Sequence, residues 1–355
     1  MSIFIKTKNK EKKVIILVIG GLGNQMFCYA WYRYWELKGI NVFFDIGNLI
    51  SGMPPAKFNE PLTLFELVKY FPNLSPNIIT THEYKHDFDF GKHFSLKYLL
   101  QQKMYYACIK KILRKIIKLC FKTGKKVTPN TEVIFERTWN REYLINGITN
   151  KSNHLIRGFF QMHQYTFEIR DILLKEYAFT NDLPDIVKYF RSEIESNNSI
   201  SLHVRRGVFM LPYWYYSNGF VGTIQYYKNA VNYIKSCYSD QKFYIFSDDF
   251  EWVKSNFGFL ENYIIVDTSS EGDFSAYYDL FLMSRCKHNI LSNSTFSWWG
   301  AFLNQNNEKT VLVPPKYSSE NFILTDEVCP PEWIRVPMAE PHYISEDNIY
   351  PNQEH

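Results

Sequence analysis

The chain has no Cys-x-x-Cys pair, no membrane-length apolar run and no complete phosphate-binding signature. Its six cysteines, Cys28, Cys108, Cys120, Cys237, Cys286 and Cys329, lie far apart with no histidine at ligand spacing. That argues against a zinc site and a disulfide framework, and a reducing compartment is expected. The longest early apolar run, Val14 to Ile19, stops at Gly20, far short of the roughly 20 residues of a membrane span. No signal-cleavage pattern follows it, so it reads as a core strand of a cytoplasmic protein. The glycine turn Gly20-Gly21-Leu22-Gly23-Asn24-Gln25 is not a P-loop, because no Gly-Lys-Ser/Thr follows. Nor is it a full dinucleotide fingerprint, since Met26 stands where the third glycine would be.

What is present suits a soluble protein of 355 residues, with 46% apolar and 21% charged side chains. The length favours two domains over one. Aromatic residues reach 18%, enough for large cores or for surfaces on which rings stack. The net charge of +4 is local in origin: Lys103 to Lys126 carries nine basic residues and no acid, leaving 31 basic against 36 acidic elsewhere. In this stretch Ile109, Ile112, Leu113, Ile116 and Ile117 fall on one helical face, while Lys110, Arg114, Lys118 and Lys122 fall on another. Such a helix can lie on an anionic membrane surface, placing the protein peripherally on the inner face, or dock on its own domain with a solvated lysine face. No nucleic-acid partner is expected.

Taken in order, the strand Val14 to Ile19 runs through the glycine turn into a helix, and Asn41 to Asp45 follows as a second strand, the spacing of a parallel βαβ unit. Within a region of proline and asparagine turns lies Asp87-Phe88-Asp89, a pair of carboxylates that can hold a divalent ion. Lys85, His86, Lys92 and His93 surround it, and coincidence is the preferred reading. A helix runs through Phe167, Ile169, Ile172 and Leu173, and Thr180 to Pro184 reads as a linker. The boundary falls between 180 and 198, giving domains 1–185 and 186–355. From Ser199 to Val313 strands and helices alternate in the rhythm of an open parallel sheet.

The strand ends of this second half carry the polar chemistry. Ser199 to Arg205 delivers His203, Arg205 and Arg206, read as cations. Ser247-Asp248-Asp249 ends another strand, and Asn293-Ser294-Thr295-Phe296-Ser297 opens a helix. Ligands of open α/β sheets bind at this edge. Arginine holds phosphate through its planar fork, and a helix start offers unpaired N–H groups. The plain alternatives are a strand-end ion pair and a helix cap over two core tryptophans.

Five motifs occur together in order: Gly20-Gly21-Leu22-Gly23-Asn24-Gln25-Met26, Gly158-Phe159-Phe160-Gln161, His203-Val204-Arg205-Arg206-Gly207, Asp279 through Ser284, and Asn293 through Gly300. In this the chain resembles the α-1,2-fucosyltransferases of glycosyltransferase family 11, from about Val14 to Trp333. The resemblance implies a GT-B architecture, two Rossmann-like domains facing across a cleft. It implies that GDP-β-L-fucose is held by the C-terminal domain, with inverting transfer to the 2-hydroxyl of a terminal galactose and no metal or other cofactor. Arg205 would be the principal catalytic residue with His203 beside it. Donor binding would fall to Arg206, Asp248 (on the guanine edge), Asn293, Ser294, Thr295, Phe296 and Ser297, and, from the glycine turn, to Gly21, Gly23, Asn24 and Gln25.

One departure stands out. The family usually has aspartate directly after Arg-Arg-Gly, and here that position is Val208. The lost carboxylate either orients the arginines or helps to activate the acceptor. Two rivals remain: a metal-dependent sugar transferase using Asp87 and Asp89, and a degenerate, non-catalytic sugar-binding protein.

Overall fold

A computed structural model describes residues 12–46, 66–79, 131–136, 141–149, 153–180, 182–210, 222–317 and 325–338. Asp87, Asp89 and the basic helix expected over 103–126 lie outside the described residues. The chain divides into two compact units. The first comprises Met1–Ile19, Cys28–Pro55 and Pro76–Phe159, and the second Gly20–Phe27, Ala56–Ser75 and Phe160–His355.

In the first unit β1 (Val14–Leu17) pairs in parallel with β2 (Val42–Asp45) on one side and β5 (Asn153–Arg157) on the other. β3 (Ile78–Ile79) and β4 (Thr131–Phe135) complete the order β3-β2-β1-β5-β4. Every residue of β1 is buried, as its unbroken apolar run requires of a central parallel strand. Helix α1 (Leu22–Leu37) starts in the second unit and ends in the first. There Trp31 and Trp35 both donate their indole N–H to the carbonyl of Leu144, at 3.0 Å each. The short helix α2 (Leu67–Tyr70) belongs to the second unit, and α3 (Arg141–Asn146) to the first.

The second unit holds α4 (His163–Glu168), α5 (Arg170–Glu176) and α6 (Asp185–Ser196), then β6 (Asn198–Val204), α7 (Ile224–Cys237), β7 (Gln241–Ser247), α8 (Phe250–Asn256) and β8 (Tyr263–Ile265). It continues with α9 (Ser275–Arg285), β9 (His288–Ile290), α10 (Thr295–Leu303), β10 (Val311–Val313), α11 (Thr325–Val328) and β11 (Ile334–Arg335). The sheet is parallel throughout and ordered β11-β10-β9-β6-β7-β8. Counted from β6 this is 3-2-1-4-5-6, the doubly wound Rossmann order. The α/β class with two parallel, Rossmann-like sheets is as expected for a GT-B chain.

The core forms where Ile200, Leu202 and Val204 of β6 meet Phe243, Ile245, Ile290 and Leu312, with Tyr226, Ala230, Val231 and Ile234 of α7 laid over them. The alternation in β6 does not leave its polar face in water, because helices cover both sides of a central parallel strand. Ser201 and His203 are buried too, and Ser201 accepts a hydrogen bond of 2.6 Å from Asn289.

The unit boundary differs from the expectation of 185. Residues from Phe160 onward pack with the second sheet because α4 and α5 carry rings and a cation that fit its helices. Phe167 sets its edge against Phe302, with centroids 5.2 Å apart, and Arg170 donates to the carbonyls of Phe302 and Asn304 at the end of α10. Tyr177 donates to the carbonyl of Met26 and lies edge-on to Trp299.

Candidate active site

In this sheet the strand order reverses between β6 and β9, and their C-terminal ends bracket the switch point where open α/β sheets bind ligands. The turn after β6 carries Arg205 and Arg206; the turn after β9 carries Ser292, Asn293 and Ser294 into α10. β6 stops at Val204, one residue short of the expected Arg205. Both arginines therefore sit in the turn, ahead of a 3-10 turn over Gly207–Met210.

The two arginines have different partners. Nη1 of Arg205 lies 2.7 Å from Oδ2 of Asp248, and its side chain is 34% exposed. Nε of Arg206 lies 3.1 Å from Asp249, and its guanidinium stacks 4.1 Å over the ring of Trp252, with 15% exposure. Arg206 is held between a carboxylate and an indole, so Arg205 is the more accessible cation. Asp249 also caps α8, accepting from the N–H of Trp252 at 3.0 Å. Nothing local in the sequence announced the stacking on Trp252, because the partners come from neighbouring strand ends.

His203 is buried, with Nδ1 2.8 Å from the hydroxyl of Ser292 and its ring 5.7 Å from that of Phe296. Burial, with the Arg205 charge beside it, pulls its pKa down to about 3. It is a neutral imidazole at working pH, not the third cation that the sequence suggested.

Ser294 is the N-cap of α10, accepting from the N–H of Phe296 at 3.3 Å. Ser297 is wholly buried and donates to the carbonyl of Ser294. Its hydroxyl therefore serves the helix start. Asn293 is buried, while Thr295 and Phe296 are half-buried. Trp298 and Trp299 fill the core as the plain reading expected, donating to the carbonyls of Val328 and Gly23.

The glycine turn docks on this helix start. A Cβ on Gly23 would come within 2.6 Å of the Thr295 hydroxyl and 2.8 Å of the Phe296 nitrogen, so this glycine answers to packing on α10. A Cβ on Gly21 would meet nothing within 4 Å. Gly23→Ala is therefore expected to cost about 1–3 kcal/mol, as overpacking against backbone does. That exceeds the gain of up to about 1 kcal/mol from helix propensity. Gly21→Ala should leave unfolding near the parent's; chemical denaturation of both variants checks the contrast.

Asn24 and Gln25 part company. Asn24 is half-buried and its Oδ1 accepts from Gln161 at 2.9 Å. Gln161 belongs to the Gly158-Phe159-Phe160-Gln161 motif. Gln25 is wholly buried: it donates to the carbonyl of Gly20 and accepts from the N–H groups of Glu66 and Leu67. It ties α2 to the glycine turn. Among the described residues there is no cluster of His, Cys, Asp and Glu that could hold a metal, and no helix long and apolar enough to cross a membrane.

A doubly wound sheet with an accessible arginine and a helix N-terminus at its switch point defines an α/β protein equipped for an anionic, nucleotide-like ligand. Residues 133–337 match the family described as glycosyl transferase family 11. The chain is 30% identical over 310 residues to the O-antigen biosynthesis glycosyltransferase WbnK of Escherichia coli, covering 85% of this chain and 94% of that protein. It is also similar to an alpha-1,2-colitosyltransferase of Escherichia coli, 30% identical over 54% of this chain and 65% of that one. A third relative is galactoside alpha-(1,2)-fucosyltransferase 1 of Leontocebus fuscicollis, 23% identical over 42% of this chain and 38% of the other. The chain belongs to glycosyl transferase family 11, and it is a glycosyltransferase.

Proposed function

We propose that the protein transfers L-fucose from GDP-β-L-fucose to the 2-hydroxyl of a terminal galactose, with inversion at C1 and without a metal ion. In this reaction the acceptor oxygen forms a bond to C1 as the bond from C1 to the β-phosphate oxygen breaks. The hydroxyl proton passes to solvent or to the departing diphosphate, on which negative charge grows as the bond breaks. The observation that carries the reading is Arg205, the more exposed guanidinium at the switch point, in the turn beside the one that opens α10. A fixed cation and helix N–H groups stabilise charge developing in the transition state. Thr295 adds a hydroxyl and Asn24 a side-chain amide, while neutral His203 holds its place through Ser292. The family's relatives, fucosyl- and colitosyltransferases by name, support an α-1,2 transfer of a deoxy sugar. The colitosyltransferase favours one second reading, a colitose donor, so that donor belongs in the same assay.

Turnover of GDP-fucose with a panel of galactosides should survive an excess of chelator with its rate within about twofold. Loss of activity that a divalent ion restores would favour the metal-dependent reading with Asp87 and Asp89. Binding of GDP without transfer of either sugar would favour the degenerate binding protein.

A further inference from the structure

We propose that Asp248 is a positioning residue for Arg205, setting the guanidinium where the diphosphate departs, and is not the reader of the nucleotide base. This rests on the function proposed above. Strand register accounts for the juxtaposition: β6 and β7 run parallel with Val204 opposite Ser247, so Arg205 and Arg206 leave one strand beside Asp248 and Asp249 leaving the next. Each carboxylate takes one arginine, Asp248 at 2.7 Å from Arg205 and Asp249 at 3.1 Å from Arg206.

Both oxygens of Asp248 are engaged on this turn. Oδ2 holds Nη1 of Arg205, and Oδ1 accepts the backbone N–H of Arg206 at 2.8 Å. The guanine edge presents two N–H donors side by side, and a carboxylate reads it with both oxygens. Gly207 supplies a further observation: a Cβ there would fall on Oδ2 of Asp248, so the glycine makes room for the carboxylate to reach Arg205. Asp248 thus grips the backbone of one arginine and the side chain of the other. A long side chain in a turn is otherwise spread over rotamers, and one contact at one end of the fork leaves further N–H groups for phosphate oxygens. The carboxylate that the resemblance would place after Gly207 is Val208 in this chain, and here a carboxylate reaches Arg205 from β7.

The test compares Asp248→Asn, Gly207→Ala, Arg205→Ala and the pair Arg205→Ala with Asp248→Asn, using GDP-fucose and lactose. Asp248→Asn keeps an acceptor for the Arg206 N–H, and thermal unfolding checks that it folds. Its kcat is expected to fall about 100-fold, the size of effect that small misplacements have on reacting groups. KM for GDP-fucose and the preference for GDP over ADP in binding should stay within about threefold. Gly207→Ala should reproduce this pattern, and adding Asp248→Asn to Arg205→Ala should lower activity no further, since the two act as a unit. An Asp248→Asn protein that keeps kcat but loses the preference for GDP would overturn the proposal in favour of base reading. So would fully additive losses in the pair. Parent-like turnover by Arg205→Ala alone would instead reject the function on which the proposal rests.

Discussion

Arg205→Ala is expected to lower kcat/KM by about 1,000-fold or more while thermal unfolding stays near that of the parent protein. Removal of a single preorganised donor to developing charge costs on the order of 100–1,000-fold. An arginine that meets phosphoryl charge directly is worth about 1,000–100,000-fold. The fold should tolerate the loss, because the ion pair with Asp248 is roughly a third exposed on the arginine side and such pairs contribute about 0–1 kcal/mol. Arg205→Lys keeps the charge but not the planar fork and should fall between parent and alanine. Arg206→Ala is the control that separates chemistry from structure. It removes both the pair with Asp249 and the stacking on Trp252, so stability should drop measurably. Steady-state kinetics with denaturation of all three variants checks the set, and parent-like turnover by Arg205→Ala would remove Arg205 from the reaction.

The second large effect is a pH dependence that two buried groups hide from each other. His203 has a folded pKa of about 3, against about 6.5 in an unfolded chain. Between these values the unfolded chain binds a proton that the folded one refuses. Its contribution is therefore full above pH 6.5 and is lost at about 1.4 kcal/mol per unit as pH falls. Asp279 runs the other way. Burial raises its carboxyl to about 7, opposed by the hydrogen bond it accepts from Thr268, while the unfolded value is about 3.9. The folded chain keeps a proton that the unfolded one releases, so this contribution is full below about pH 3.9 and lost as pH rises toward 7.

From about pH 4 to 6.5 the two slopes cancel, and removing either group should expose the other. Relative to the parent, Asp279→Asn should gain about 1.4 kcal/mol per unit as pH rises through this window, and His203→Gln should lose as much. Asparagine still offers Thr268 an acceptor, so the comparison isolates the charge. Urea unfolding at three pH values decides the matter: slopes equal to the parent's in both variants would contradict it.

The alternation from β6 to β10 was legible because each strand is a short apolar run closed by glycine, serine, aspartate or proline, and each helix carries its own period. The switch-point residues were legible for the same reason, since they are whatever follows those runs. Burial and long-range partners were not. His203 reads as a cation by type, and burial together with the Arg205 charge beside it makes it neutral. Gln25 reads as a ligand-facing amide beside a glycine turn, yet it is spent on α2, more than 40 residues further along. Residues 20–27 group with the second unit, where the indole of Trp299 donates to the carbonyl of Gly23, 276 positions apart. No local pattern signals such a pairing. β4 and β5 escaped because their apolar stretches are short and interrupted by the polar Glu132 and His154.

The most direct test of the central claim is the linkage of the product formed from GDP-fucose and a terminal galactoside, determined by NMR. A single α-linked fucose on the galactose 2-hydroxyl, formed from the β-configured donor, is the expected result. Fucose on another hydroxyl, retention of the donor's configuration, or no transfer of fucose to any galactoside would contradict it.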